Sequence, residues 1–328
     1  MAGSMLLTVR DLTVEVGTPS QTTTIVDGLN FDVEPGQVMG IAGESGSGKT
    51  MTALAVLGAL PRGARATGRV ELWGENLLKL APRDLRRVQG NSIAMVFQDP
   101  SAALHPMLTI GRQMTEHVRY HLGLSRRDAI EKAAQLLTAV RIPDPVAALK
   151  SYPHQFSGGM QQRIQIAIAL ACDPSLLIAD EPTTALDVTV QAGILRLLRQ
   201  LCQERDLAVI LITHNLGVIA ALGRTGMIMY SGRLVEVGET SLILRHPRHP
   251  YTRGLLDAMP RPDATGKPLV AIEGAAPAPG SRPTGCAFHP RCGFAQEPCL
   301  QHVPPLLQVQ DGRELACLID PFGSEVLA

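Results

Sequence analysis

Eight consecutive residues, Gly43-Glu44-Ser45-Gly46-Ser47-Gly48-Lys49-Thr50, complete the pattern G-x-x-x-x-G-K-[ST]. Glycines in such a run reach backbone angles closed to other residues, so successive N–H groups turn inward on phosphate oxygens. Lys49 is placed to reach β- and γ-phosphates and the Thr50 hydroxyl to ligate Mg²⁺. Gly43 and the run from Ser45 to Met51 are therefore the expected phosphate contacts. Further along, three apolar runs end in groups that suit the same chemistry. Gln98 follows 92–97, Asp180-Glu181 follows 176–179, and His214 follows 208–213. Asp180 can hold Mg²⁺ and its waters beside the phosphates. Glu181 can orient or deprotonate an attacking water. Gln98 can contact metal and water, and His214 can hydrogen-bond the γ-phosphate. Alone, each has a plainer reading: a turn, a solvated loop, a structural histidine. Their shared place, at the C-terminal ends of expected strands, is where open α/β sheets bind ligands. Together they point to hydrolysis of a nucleoside triphosphate.

The loop requires a strand before it and a helix after it. Val38 to Ala42 is apolar and strand-like, and Met51 to Leu57 is a helix former. Short N-terminal strands are expected at 6–9, 12–16 and 29–33, then at 68–72 and 92–97. From 107 to 150 the pattern is helical and more polar, broken by Pro143 and Pro145. An apolar helix ends near Cys172, and another helix spans Val188 to Arg205. Buried strands alternating with helices give an α/β core with a mainly parallel sheet. Residues 260–284 are rich in Pro, Gly and Ala, as a linker or meandering loop is.

Composition narrows the partners. The 328 residues carry 30 Lys+Arg against 30 Asp+Glu, which argues against broad electrostatic binding to nucleic acid or anionic lipid. Aromatic residues make up only 3%, so stacking platforms for single strands are scarce. No apolar run approaches the roughly 20 residues that span a bilayer. The first residues lack the basic and apolar regions of a signal peptide.

In this order the motifs resemble those of the ABC-transporter ATPases. Walker A lies at 43–50, the Q-loop at Gln98 and the signature at Phe156-Ser157-Gly158-Gly159-Met160. Walker B ends at Asp180-Glu181, the D-loop is Ala185-Leu186-Asp187 and the switch residue is His214. The resemblance covers about 5–240. It implies a P-loop NTPase fold with N-terminal antiparallel strands and a helical subdomain at about 100–172. It also implies ATP and Mg²⁺ as cofactors, with Glu181, His214 and Gln98 catalytic. Two cassettes would pack head to tail, with Ser157, Gly158 and Gly159 of one, and Asp187, completing the site at the other's Walker A. A phosphoryl-transfer kinase would leave the signature and His214 idle. A non-transport ABC ATPase would be expected to carry a coiled-coil insertion or tandem cassettes. One departure stands out: 17–23 holds no aromatic residue on which adenine could stack.

The segment 246–256, His-Pro-Arg-His-Pro-Tyr-Thr-Arg-Gly-Leu-Leu, and the segment 284–292 are similar to those of dipeptide, oligopeptide and nickel importer ATPases. This resemblance makes 241–328 an importer-type extension. It implies a second, paralogous ATPase subunit, two membrane permeases and an extracytoplasmic substrate-binding protein. It places the chain peripherally on the cytoplasmic face of a bacterial inner membrane. Nickel- and glutathione-type importers remain open. The extension carries Cys286, Cys292, Cys299 and Cys317, spaced C-x5-C-x6-C-x17-C. On spacing alone, zinc, an iron–sulfur cluster and free thiols are equally compatible, since neither a zinc ribbon nor a ferredoxin run is matched. Similar cysteine tails in the family imply a [4Fe–4S] cluster.

Overall fold

The protein is described from a computed structural model covering residues 5–18, 21–183, 188–259 and 271–323. The chain begins β1 (Leu7–Thr18), β2 (Gln21–Val33), β3 (Val38–Ala42), α1 (Lys49–Leu57), β4 (Ala64–Leu72), β5 (Glu75–Asn76), α2 (Pro82–Val88) and β6 (Ile93–Val96). A helical stretch follows: α3 (Pro100–Ala103), α4 (Ile110–Leu122), α5 (Arg126–Ala139), α6 (Pro145–Ala148) and α7 (Gly158–Ala169). Then come β7 (Leu176–Asp180), α8 (Val188–Arg205), β8 (Ala208–Thr213), α9 (Leu216–Leu222), β9 (Thr225–Tyr230) and β10 (Arg233–Glu239). The chain closes with α10 (Thr240–Arg245), α11 (Pro250–Asp257), α12 (Glu297–Gln301), β11 (Leu307–Gln308) and β12 (Glu314–Leu315).

Two sheets form. One is antiparallel, ordered β2-β1-β4-β5; the other is ordered β11-β12-β10-β9-β3-β8-β7-β6. In the second, β9, β3, β8, β7 and β6 run parallel, and β10, β12 and β11 add an antiparallel edge. The central strands are near-continuous apolar runs because both faces are covered, as parallel strands require. One core lies between the two sheets around α1, and another joins the central strands to α4, α5, α7 and α8. No helix among the described residues is long and apolar enough to cross a membrane.

The expected strands at 6–9 and 12–16 are one strand. Its pairing with β4 shifts register between Arg10 and Thr13, and Asp11 has φ 50°. A bulge absorbs the polar Arg10-Asp11 step that reads as a break in sequence. The helical stretch 107–150 divides into three helices. Gly123, at φ 66°, ends α4, Ser125 caps α5 through the Asp128 N–H, and Pro145 opens α6. Strands β11 and β12 join the core sheet through β10, so the chain's last described segments share a sheet with the nucleotide loop.

Candidate functional site

Strand β3 delivers the loop 43–50 at its C-terminal end, and the loop turns directly into α1. Gly43 has φ 157°, and a Cβ there would stand 2.1 Å from the Met229 carbonyl oxygen. Gly48, at φ 102°, opens α1, so the helix N-terminus and its unpaired N–H groups face the phosphate position. Lys49 donates to the carbonyls of Gly43 and Glu44, both at 2.8 Å, and to the Ser47 hydroxyl at 3.3 Å. Burial lowers the Lys49 ammonium pKa, while Glu181, Asp180 and Glu44 act the other way. Ser45, Gly46 and Thr50 are exposed, Ser47 is buried and Met51 half-buried.

Adjacent strand ends bring the remaining groups together. β7 ends in Asp180, which is buried, receives the Thr50 hydroxyl and has its carboxyl pKa raised by burial above all. Its Oδ1 is enclosed with no protein hydrogen bond. A carboxylate oxygen left unpaired beside a threonine hydroxyl suits a divalent cation, which takes oxygen ligands. Mg²⁺ therefore fits at Thr50 and Asp180. Glu181 stands next, in the left-handed region at φ 47°, its N–H tied to the Ile212 carbonyl at 2.8 Å. A non-glycine residue held there marks a constrained carboxylate of the kind active sites keep. Gln98 Nε2 donates to Glu181 Oε2 at 3.1 Å, and His214 Nδ1 lies 3.1 Å from Glu181 Oε1. All four residues read from strand ends thus meet around one loop.

Ser157 caps α7, its hydroxyl accepting from the Met160 N–H, with Ser157 and Gly158 exposed and Gly159 half-buried against Val190. Asp187 lies outside the described residues.

Cys286, Cys292, Cys299 and Cys317 line one small pocket together with His249, Phe288 and His289. All four are free thiols, and burial raises the pKa of Cys286, Cys292 and Cys317. The crowding of other thiolates adds to this. Among the described residues no three His, Cys, Asp or Glu side chains are grouped so as to hold a single metal ion.

Three residues at the phosphate loop carry no role in the sequence reading. Tyr251 accepts the Glu44 N–H at 2.7 Å, Arg291 forks onto the Glu44 carboxylate at 2.7 and 3.0 Å, and Arg291 also donates to the Tyr230 hydroxyl. Tyr251 and Arg291 belong to the two tail segments that stood out as motifs, but nothing in their spacing pointed at Glu44.

A phosphate loop on β3, an acidic pair ending β7 and a histidine ending β8 define a P-loop ATPase of the ATP-binding cassette class. The dimeric ATP-binding cassette MJ0796, in a post-hydrolysis state bound to ADP and Pi, superposes with a TM-score of 0.63 at 25% identity, over 71% of this chain and 98% of that one. Residues 26–184 match the ABC transporter family, and 235–299 match the C-terminal region of oligopeptide/dipeptide transporters. A putative peptide import ATP-binding protein of Brucella abortus is 48% identical over 313 residues, 95% of this chain and 94% of its own. The oligopeptide transport ATP-binding protein OppD of Salmonella typhimurium is 45% identical over 314 residues, 96% and 93% respectively. The chain belongs to the ABC transporter family, in the branch that carries the oligopeptide/dipeptide transporter C-terminal region, and is an ATPase.

Proposed function

We propose that this chain hydrolyses ATP to drive import of dipeptides or oligopeptides across a bacterial inner membrane, from that membrane's cytoplasmic face. The observation that carries the catalytic part is Glu181, clasped by Gln98 and His214 beside Asp180. Gly43 and Ser45 to Met51 cradle the phosphates, and Lys49 exchanges loop carbonyls for phosphate oxygens. Thr50, Asp180 and Gln98 would hold Mg²⁺, which would supply positive charge to offset the phosphates. Glu181 accepts the proton of the attacking water while Gln98 fixes the carboxylate's orientation. His214, hydrogen-bonded to Glu181, presents its other nitrogen towards the γ-phosphate. Ser157, Gly158, Gly159 and Asp187 act on the nucleotide of a second cassette, with which this one packs head to tail.

The likeness to peptide-import and oligopeptide-transport ATP-binding proteins and the match at 235–299 support peptide import. The working assembly adds a paralogous ATPase, two permeases and an extracytoplasmic binding protein. Purification from membranes, followed by uptake of a labelled peptide, tests this. Two integral permeases should accompany the chain, and Lys49→Ala should abolish uptake. Uptake of a nickel chelate or of glutathione in place of peptides would reassign the substrate, and absence of permeases would overturn the transport reading.

We further propose that the four-thiol pocket takes a [4Fe–4S] cluster. What supports this is that Cys286, Cys292, Cys299 and Cys317 line one pocket. Thiolates are ligands for iron–sulfur clusters and for zinc alike, and the resemblance of the cysteine tail to those of the family favours the cluster. The cluster would cross-link a tail segment with little core of its own. Iron and sulfide in equal, near-fourfold amounts after anaerobic purification would support it. One zinc without sulfide would replace it with a structural zinc.

A further inference from the structure

The phosphate loop of this chain carries a carboxylate, Glu44, among groups that must attract a polyanion. An uncompensated negative charge there opposes phosphate binding. The compensation comes from the far end of the chain. Arg291 reaches Glu44 across 247 positions, with Nη1 on Oε2 at 2.7 Å and Nη2 on Oε1 at 3.0 Å. Such a bidentate fork fixes direction as well as charge. The Arg291 side chain is only 6% exposed and Glu44 28%, so solvent screens the pair incompletely. The guanidinium is itself anchored by the carbonyls of Ile272 and Glu273 and by the Tyr230 hydroxyl. Tyr251, fully buried, accepts the Glu44 N–H at 2.7 Å, which turns that N–H away from the phosphate cradle and sets the loop's first turn. Tyr230, Tyr251 and Phe288 pack as one aromatic group beneath these contacts.

We propose that Arg291 and Tyr251 are positioning residues for the nucleotide site, so the C-terminal extension is a working part of the ATP-binding loop. Arg291 neutralises and aims Glu44, and Tyr251 fixes the peptide that begins the cradle. The proposal rests on this loop binding ATP and is independent of what the thiols hold.

The test is equilibrium binding of Mg-ATP to the full-length chain, with kcat and KM measured separately in the assembled transporter. Arg291→Ala should weaken binding by roughly tenfold, the loss expected for one charge-assisted hydrogen bond. KM should rise more than kcat falls, and Arg291→Lys should recover part of the affinity. In a Glu44→Gln background Arg291→Ala should cost much less, because the charge to be neutralised is gone. Tyr251→Phe should weaken binding in the same direction. Should Arg291→Ala fail to fold, Arg291→Lys and Glu44→Gln, alone and combined, carry the same comparison. Wild-type affinity in Arg291→Ala, or an equal loss with and without Glu44, would overturn the proposal. A wild-type chain that bound no Mg-ATP would instead remove the ATPase reading on which it stands.

Discussion

His214 Nδ1 and Glu181 Oε1 stand 3.1 Å apart, although 33 positions separate them and each directly follows a different central strand. Gln98 holds the second oxygen of the same carboxylate at 3.1 Å. A base held at both oxygens loses little entropy in aligning a water. Glu181→Gln should keep Mg-ATP affinity within about threefold and lower turnover by at least about 100-fold, in the range of a lost general base. Single-turnover hydrolysis with bound ATP is the check. Turnover near the wild-type rate would remove Glu181 from that role.

Much of this site was legible because strand ends are legible. Apolar runs closing at Gln98, Asp180 and His214 read directly as β6, β7 and β8 or their exits, and parallel pairing then forces those ends to one side of the sheet. The tail's contribution was not. Arg291 reaches Glu44 from a segment packed on Tyr230 and Tyr251 through Phe288, and Arg313 meets Glu236 because β11 and β12 return to the sheet edge. Both are two-residue strands, too short for any periodicity to reveal. The bulge at Asp11 was hidden for a different reason, since a polar dipeptide inside a strand looks the same in sequence as a turn.

Glu236 is wholly buried and Arg313 only 1% exposed, with 3.1 Å between them. The N–H groups of Arg248 and His249 also donate to the Glu236 carboxylate, each at 3.0 Å. Replacing one partner leaves the other charge enclosed and unpaired, which typically costs about 3–5 kcal/mol. Arg313→Ala should therefore lower stability by about that much and loosen the tail from β10. Urea unfolding followed by proteolysis of the C-terminal segment measures both. A change under about 1 kcal/mol would mean that the buried network carries little of the tail's docking.

His249 is buried, accepts the Tyr251 N–H at its Nδ1 and donates to the Ala316 carbonyl, which makes it neutral in the folded chain. Burial pulls its pKa down to about 3, below the ordinary value of about 6.5 that it regains on unfolding. The unfolded chain thus binds the extra proton first. Its contribution to stability is present in full above about pH 6.5 and declines as pH falls towards 3, by up to about 1.4 kcal/mol per pH unit. The urea midpoint should drop between pH 7 and pH 5, and His249→Gln should flatten that drop relative to wild type. Parallel slopes for the two proteins would assign the acid sensitivity elsewhere.

Ser157 is exposed at the first turn of α7 and caps that helix, so its hydroxyl stands where a helix N-terminus can meet an anion arriving from outside the chain. In the head-to-tail pair proposed above, that anion would be the γ-phosphate held by the other cassette. The consequence is a separation of binding from occlusion between subunits. In the assembled transporter, Ser157→Arg in this chain should leave labelling of its own phosphate loop by a photoreactive ATP unchanged. Occlusion of ATP at the partner's loop should fall by at least about tenfold, since a bulky cation displaces a hydroxyl that donates to a charged oxygen. Subunit-resolved labelling after cross-linking distinguishes the two. Loss of label on this chain, with the partner's site intact, would place the signature on its own nucleotide and contradict head-to-tail pairing. A cap substitution alone costs about 1 kcal/mol of local helix stability. Ser157→Ala supplies that control: it should retain more occlusion than the arginine variant.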